Sequence, residues 1–411
     1  MYKNSIDSQK VINFAHAFQL AYEMETRLND NLLPLDQLMQ HETPFYFYDL
    51  DLLRATISHI NELTASHNAI VHYAVKANGN PRILKEIAAA GLGADVVSGG
   101  EIIAALDAGF SPVKITFAGV GKTDREIKLG LEHEIGCFNV ESVPELEVIS
   151  QLATEMGKTA NVALRVNPDI DAHTHRFITT ATADNKFGIA IEFLPQVVKR
   201  AHALPGINLR GLHFHLGSQI TVMRPYQMLC ETINRLLDDF EHDGTTFEII
   251  NVGGGLGIDY ADPDTHPIAD FEQFFATFHH HLNLRQGQQL HFELGRSIVG
   301  QCGSLIARAT YVKHNRNKQF VILDAGMTDL IRPALYDAHH KIENLSSRSS
   351  ERATYDVVGP VCESSDTFAH DCSLPTTQRG DLIAIRSAGA YGESMASTYN
   401  MRRLPQAVFS I

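Results

Sequence analysis

The sequence predicts an α/β protein, a (β/α)8 TIM-like barrel with a second, mainly β domain of sandwich or barrel-like form. Three observations carry this. Short apolar strand segments alternate with helical patterns from residue 69 to residue 294. After residue 303 the helical patterns largely stop and strand-and-turn signals take over. Chemistry-bearing residues collect at the C-terminal ends of the strand segments, which open on one face of such a barrel.

In chain order, residues 1–40 read as polar and helical, with apolar spacing in VINFAHAFQLAYEMETRL, an appendage or a partner-facing helix. Thr43-Pro44-Phe45-Tyr46-Phe47-Tyr48-Asp49 is a short aromatic strand, followed by the helical pattern DLLRATISHINELTAS. The barrel strands are AIVHYAV (69–75), ADVV (94–97), VKITFAG (113–119), GCFNV (136–140), NVALRV (161–166), GLHFHL (211–216), FEIINV (247–252) and LHFEL (290–294). Helical patterns such as PRILKEIAAAG, GEIIAALDAG and SVPELEVISQLATEMG fill the gaps. A doubly wound open sheet satisfies the same strand count. Beyond the barrel, SLIARATYVKHN, KQFVILDAG, TYDVVGPV and DLIAIRSAG read as strands. The chain therefore divides into an N-terminal segment (1–49), a barrel (50–303) and a C-terminal β-rich domain (304–411).

Composition narrows the function classes. The 411 residues, 44% hydrophobic, are ample for a large core and on length point to two domains. A formal net charge of −14 with no basic cluster argues against nucleic acid and anionic membranes as partners. Cys137, Cys230, Cys302, Cys362 and Cys372 are odd in number and form no CxxC pair, which argues against a disulfide framework or structural zinc and for a reducing cytoplasm. No apolar run reaches the ~20 residues of a membrane span, and MYKNSIDSQK lacks a signal-peptide layout. The runs His279-His280-His281 and His339-His340 point different ways on a helix, so no metal site is expected from them.

The chemistry centres on His72-Tyr73-Ala74-Val75-Lys76-Ala77-Asn78, where an apolar strand ends in a lysine. Burial lowers an ammonium's pKa and makes the amine nucleophilic, as a Schiff-base lysine requires; the plainer alternative is a lysine snorkelling to solvent. Asp95 lies in the second strand, before Ser98-Gly99-Gly100-Glu101. Arg165 ends the fifth, and His215 the sixth, with Gly217-Ser218 behind it. Gly253-Gly254-Gly255 follow the seventh, and Glu293 and Arg296 end the eighth. The glycine run offers backbone N–H groups where such barrels often bind phosphate, or is a tight turn only. His215 is either a core histidine or a plate over an aromatic ring, beside a phosphate donor in Ser218. Glu293 on an apolar strand needs a partner, and a protonated pyridine nitrogen is a natural one. A lysine, a phosphate cradle and a ring-nitrogen carboxylate together describe a pyridoxal 5′-phosphate (PLP) site. A carboxylate there keeps the ring protonated, a strong electron sink suited to loss of CO2 rather than to racemisation.

From residue 43 to residue 405 the motifs YAVKANGNP, GADVVSGGE, ALRVNPDIDAHTH, NKFG, HFHLGSQI, NVGGGLGI, GRSIVG, DAGMTDLIRPALYDAHH, DVVGPVCESSDTF and GAYGESMASTYN occur in order. By these the chain resembles the fold-type III PLP decarboxylases, alanine racemase-like barrels, and within them the diaminopimelate decarboxylase family. The resemblance implies that Lys76 holds PLP and that His215 stacks on its ring. It implies that Ser218, Gly253, Gly254, Gly255, the backbone at Gly295 and Arg296, and Tyr391 hold the phosphate, and that Glu293 pairs with the ring nitrogen. Asp95 and Arg165 belong to the same cofactor set. Cys362 resembles the general acid, contributed across a homodimer interface, and Arg296, Arg332, Tyr336, Glu363 and Tyr391 resemble the substrate contacts. Arginine suits a distal carboxylate through bidentate geometry, and Glu363 suits an ammonium. The implied reaction is decarboxylation of meso-2,6-diaminopimelate to L-lysine and CO2, the last step of bacterial lysine synthesis; the alternatives are a decarboxylase of another basic amino acid or of a siderophore intermediate, and a non-catalytic regulatory homologue, against which the intact Lys76, Glu293 and Cys362 argue. In this family the strand near residues 44–49 joins the C-terminal domain. Two positions depart from the pattern. Leu294 stands where the family usually has proline, which frees the turn slightly, and Thr180 stands where it usually has glycine, which stiffens that loop.

Overall fold

The computed structural model describes residues 33–65, 68–170 and 185–410. Most of the N-terminal helical segment, and Thr180, lie outside the described residues. Strand β1 (Phe45–Tyr48) leads into a helix (Leu50–Thr64) capped by Asp49, whose carboxylate accepts from the N–H groups of Asp51 and Leu52. Then come β2 (Ala69–Ala74), β3 (Gly93–Val96), β4 (Ile115–Phe117), β5 (Cys137–Val140), β6 (Ala160–Asn167), the two-residue β7 (Ile189–Ala190), β8 (Ile207–His213), β9 (Ile249–Asn251) and β10 (Gln289–Leu294). The spatial order is β5-β4-β3-β2-β10-β9-β8-β6, and β5 pairs β6 in parallel (Phe138 opposite Val162), so the sheet closes on itself. That closure decides against the open doubly wound sheet. All eight predicted strand segments supply barrel strands.

The intervening helices carry their own start signals. Asn80 caps the helix Pro81–Ala89, with proline in its first turn. Ser98 caps Gly99–Ala108, so the serine of SGGE is a structural cap. Thr123 and Glu126 form a reciprocal capping box on Asp124–Glu132. The helix Leu50–Thr64 precedes β2 instead of following β10 and packs against Phe271–His281 and the one-turn helix Arg296–Val299. A continuous apolar core joins strands and helices, with an aromatic cluster of Tyr226, Phe274, Phe275, Phe278 and Phe292 on the β10 side.

The second sheet uses β11 (Gly303–His314), β12 (Gln319–Leu323), β13 (Ile342–Asn344), β14 (Arg352–Val358), β15 (Thr367–Pro375), β16 (Leu382–Ile385) and β17 (Gln406–Phe409). Its order is β13-β16-β11-β12-β14-β15. β1 adds to it, antiparallel to β11 and parallel to β17. β11 pairs β16 and β1 in its first half and β12 in its second, changing register between Ala309 and Tyr311. β13, β15 and β17 were not anticipated from sequence: two are short, and β15 (TFAHDCSLP) has no clean apolar alternation. No described helix is long and apolar enough to cross a membrane.

Candidate active site

The strand ends converge on a cavity of about 380 Å3 lined by Lys76, Arg165, His215, Ser218, Gly255, Glu293, Gly295, Arg296, Tyr336 and Tyr391, among others. Lys76 sits in a single 3-10 turn, Val75–Ala77, directly after β2. Its side chain is 38% exposed, into the cavity, and Nζ lies 3.4 Å from Oδ2 of the fully buried Asp95 on β3. Burial opposes the ammonium, but Asp95, then Tyr391 and Glu293, outweigh it and hold the pKa above the ordinary lysine range. This corrects the expectation of an amine lowered by burial: the neighbouring carboxylate is what the sequence pattern left out. Burial and Glu293 in turn push Asp95 up, while Lys76 draws it down. Asp95 does not line the cavity; its contact is the lysine, and its Oδ1 is buried with no hydrogen-bond partner.

Glu293 is buried in the cavity wall with three hydrogen-bond partners. Its Oε1 accepts from Asn251 Nδ2 at 2.7 Å and Asn139 Nδ2 at 2.9 Å, and its Oε2 lies 2.9 Å from His213 Nε2. Burial alone would raise its pKa, but His213 and Lys76 outweigh burial and hold the carboxyl below the ordinary range. A carboxylate offers about four lone-pair sites, so three donors leave room for one more. Asn139, His213 and Asn251 were missed in the sequence. The available signal was polarity: each is a polar residue at a buried strand position, and His213 shares the inward face with His215 at a spacing of two.

His215 lies two residues beyond β8, its Nδ1 accepting from the Gly254 N–H at 3.2 Å. Burial first, then Arg165 and Lys76, push its pKa well down, so the ring is neutral. The Gly253 N–H donates to Asn251 Oδ1 at 2.9 Å. Of the three consecutive glycines only Gly255 lines the cavity. The Gly253 and Gly254 N–H groups are thus taken up within the protein. Gly254 has a steric reason to be glycine, since a Cβ would stand 1.8 Å from the Glu293 carbonyl oxygen. Gly255 has φ +102°, a left-handed conformation that favours glycine.

Arg165 on β6 is ion-paired to Glu141 at 2.6 Å, and Glu141 also accepts from the Gly188 N–H at 2.9 Å. Its guanidinium lies 4.6 Å from the Phe187 ring. Arg296 opens the one-turn helix behind Gly295 and donates to Ser218 Oγ at 2.9 Å and Tyr260 Oη at 2.5 Å. The Tyr391 ring is 4.9 Å from the same guanidinium, and the Tyr391 N–H is bonded to the carbonyl of Ala77, next to Lys76. Leu294 ends β10, buried and opposite Tyr73, so the absent proline leaves the strand intact.

A second hollow of about 740 Å3 adjoins the first and shares Leu256, Arg296 and Tyr336 with it. Arg332 lines this second space. Cys362 and Glu363 line neither. Both are exposed on the β domain, where Glu363 accepts from Tyr399 Oη at 2.6 Å. Thus the fold gathers most of the residues expected from sequence around the first cavity, with Asp95 in contact with Lys76 and Arg332 in the adjoining hollow; Gly253 and Gly254 lie outside its lining, and Cys362 and Glu363 line neither space of their own chain.

Residues 51–300 match the family described as pyridoxal-dependent decarboxylase, pyridoxal binding domain. A relative from Bacteroides thetaiotaomicron named diaminopimelate decarboxylase is 56% identical over 380 residues, covering 92% of this chain and 98% of its own length. The chain belongs to the diaminopimelate decarboxylase family. Solved structures of the family superimpose closely. The Helicobacter pylori diaminopimelate decarboxylase, complexed with L-lysine, gives a TM-score of 0.86 at 39% identity, with 91% of this chain and 94% of that one covered. The M. jannaschii diaminopimelate decarboxylase in co-complex with L-lysine gives 0.83 at 34% identity, covering 91% and 88%. A PLP-using decarboxylase family and a barrel with a Lys76–Asp95 pair and an anionic Glu293 thus meet in one molecule.

Proposed function

We propose that the protein decarboxylates meso-2,6-diaminopimelate to L-lysine and CO2 with PLP as cofactor, as the last step of bacterial lysine synthesis. The observation that carries this is the pairing in one cavity of a lysine with a three-donor buried carboxylate, beside two buried arginines, Arg296 and Arg332, that have no carboxylate partner among the described residues. The residues fit PLP. Lys76 reaches into the cavity, Glu293 has one acceptor site to spare for a pyridinium N–H, His215 offers a neutral flat ring, and Ser218, Gly255, Gly295 and Tyr391 lie together as candidate phosphate contacts. When bound, PLP supplies the electron sink that takes up the bonding pair as CO2 leaves.

The chain's own residues do the rest. Lys76 gives up its proton to act as nucleophile, with Asp95 at 3.4 Å placed to help hold that proton. Glu293, kept anionic by its three donors, keeps the ring nitrogen protonated. Arg296 and Arg332 bind the substrate's distal carboxylate, their charge not cancelled by a protein carboxylate. Tyr336 and Tyr391 wall the cavity against water.

In this reading the active assembly is a homodimer. Cys362 of a second copy returns a proton to the substrate carbon, and Glu363 of that copy binds the distal ammonium; their exposure outside their own chain's cavity supports this. The division into residues 1–49, 50–303 and 304–411 is the matching domain proposal, supported by the pairing of β1 with β11 and β17. A cytoplasmic location is supported by five free cysteines.

The test is release of CO2 and L-lysine from meso-diaminopimelate by PLP-loaded protein, run against L,L-diaminopimelate, D- and L-lysine, D- and L-ornithine and L-arginine. L-Lysine formed from the meso isomer alone supports the proposal. Turnover of a simple diamino acid instead would keep the PLP chemistry and overturn the roles of Arg332 and Glu363.

A further inference from the structure

The proposed reading leaves open what holds Arg332 in place. Arg332 opens the short helix Arg332–Tyr336, is 5% exposed, and has no ion pair among the described residues. Its Nη1–H donates to His340 Nε2 at 2.8 Å. His340, itself 1% exposed, bonds through Nδ1 to the backbone carbonyl of Arg386 at 2.8 Å. A carbonyl only accepts, so Nδ1 carries the ring proton and Nε2 presents a lone pair to the arginine. The Arg386 carbonyl is itself fixed. The Arg386 N–H returns to the Lys341 carbonyl at 2.9 Å, and its guanidinium is paired with Glu343 at 2.6 Å and Asp264 at 2.9 Å. On the other side, Tyr260 packs its ring edge-on to His340 at 5.0 Å, lies 4.6 Å from the Arg332 guanidinium and accepts from Arg296.

We propose that His340 is a positioning residue that aims Arg332 at the substrate's distal carboxylate through a single neutral hydrogen bond, and so sets substrate and product affinity. An Asp or Glu in its place would fix the guanidinium as well, but would cancel its charge and compete with the substrate carboxylate. A neutral imidazole whose tautomer is set by a backbone carbonyl fixes the direction and leaves the positive charge for the ligand. Burial first, then the adjacent Arg332, push the His340 pKa down to about 3, so the ring stays neutral across the working pH range. The Arg332 Nε is buried without a hydrogen-bond partner, so the guanidinium retains donor capacity that the protein does not use.

The inference rests on the substrate reading above, and two variants separate its parts. In His340→Gln the side-chain amide oxygen reaches the place of Nε2 and can still accept from Arg332. In His340→Asn the amide reaches only the place of Nδ1, so it keeps the bond to the Arg386 carbonyl and loses Arg332. The expected result is that H340N raises KM for meso-diaminopimelate and the inhibition constant of L-lysine together, by roughly ten- to a hundred-fold, the loss expected for a hydrogen bond to a charged group. Its kcat and its visible cofactor absorbance stay near wild type, and H340Q restores both affinities. The opposite order, H340Q impaired and H340N normal, would mean that His340 serves only the Arg386 carbonyl, and would overturn the inference. Unchanged affinities in both variants would overturn it too. Wild-type protein inert toward meso-diaminopimelate would overturn the proposed reaction, and the substrate role of Arg332 with it.

Discussion

Replacing Glu293 with glutamine isolates one quantity, the negative charge beneath the cofactor ring. The hydrogen-bond pattern predicts that the fold tolerates it. Glutamine Oε1 can keep both asparagine donors, Asn139 and Asn251, leaving its NH2 group to face His213 Nε2. His213 Nδ1 is buried with no partner, so the ring proton can move there and Nε2 can accept from the amide. What is lost is a charge-assisted hydrogen bond to the ring nitrogen, worth about 1.5–3 kcal/mol. At about 1.36 kcal/mol per tenfold in rate, kcat should fall roughly 10- to 150-fold with little change in KM. Steady-state kinetics with meso-diaminopimelate read this directly, with the visible absorbance confirming cofactor loading. A fully loaded E293Q with kcat within about threefold of wild type would refute the electron-sink argument. The same substitution carries a stability signature. Burial raises the Glu293 pKa, but His213 and Lys76 bring it below the reference value of 4.5. Its stabilisation is therefore present above the unfolded pKa and lost as pH falls through the folded one. The urea midpoint of cofactor-free wild type should thus drop more steeply than that of E293Q as pH falls below about 4.5.

Three further outcomes follow from the same geometry. Against the cost of burial, Asp95 is the largest contribution holding the Lys76 pKa up, so Asp95→Asn should shift the pH midpoint of PLP capture by the cofactor-free protein downward; an unchanged midpoint would contradict the pairing. Glu141→Ala would leave Arg165 buried without its partner and should destabilise the protein by about 3–5 kcal/mol, read by urea unfolding; a loss under about 1 kcal/mol would mean that the arginine finds water. Mixing inactive Lys76→Ala and Cys362→Ala subunits should restore about a quarter of wild-type activity on random re-pairing, because half of the dimers then hold one complete site of two; no recovery would place Cys362 outside a shared site.

Much of this molecule is written in local pattern. Alternating strand and helix periodicity and the polar residues at strand ends were enough to place eight strands, the second domain and Lys76, His215, Ser218, Glu293 and Arg296 around one site. Those signals survive in the sequence because the alternation of buried and exposed positions acts over a few residues at a time. What the tertiary structure decided is who faces whom. Glu293 is held anionic by residues from β5, β8 and β9, the most distant 154 positions away, and only closure of the barrel brings them together. The pairing of β2 with β3 sets Asp95 against Lys76 and reverses the direction in which burial alone would move the amine. In the β domain, the pairing of β13 with β16 brings the Arg386 carbonyl to His340. A side chain's charge state depends on the sum of burial and a few contacts within about 4 Å, and those neighbours come from segments whose separation along the chain carries no periodicity to read.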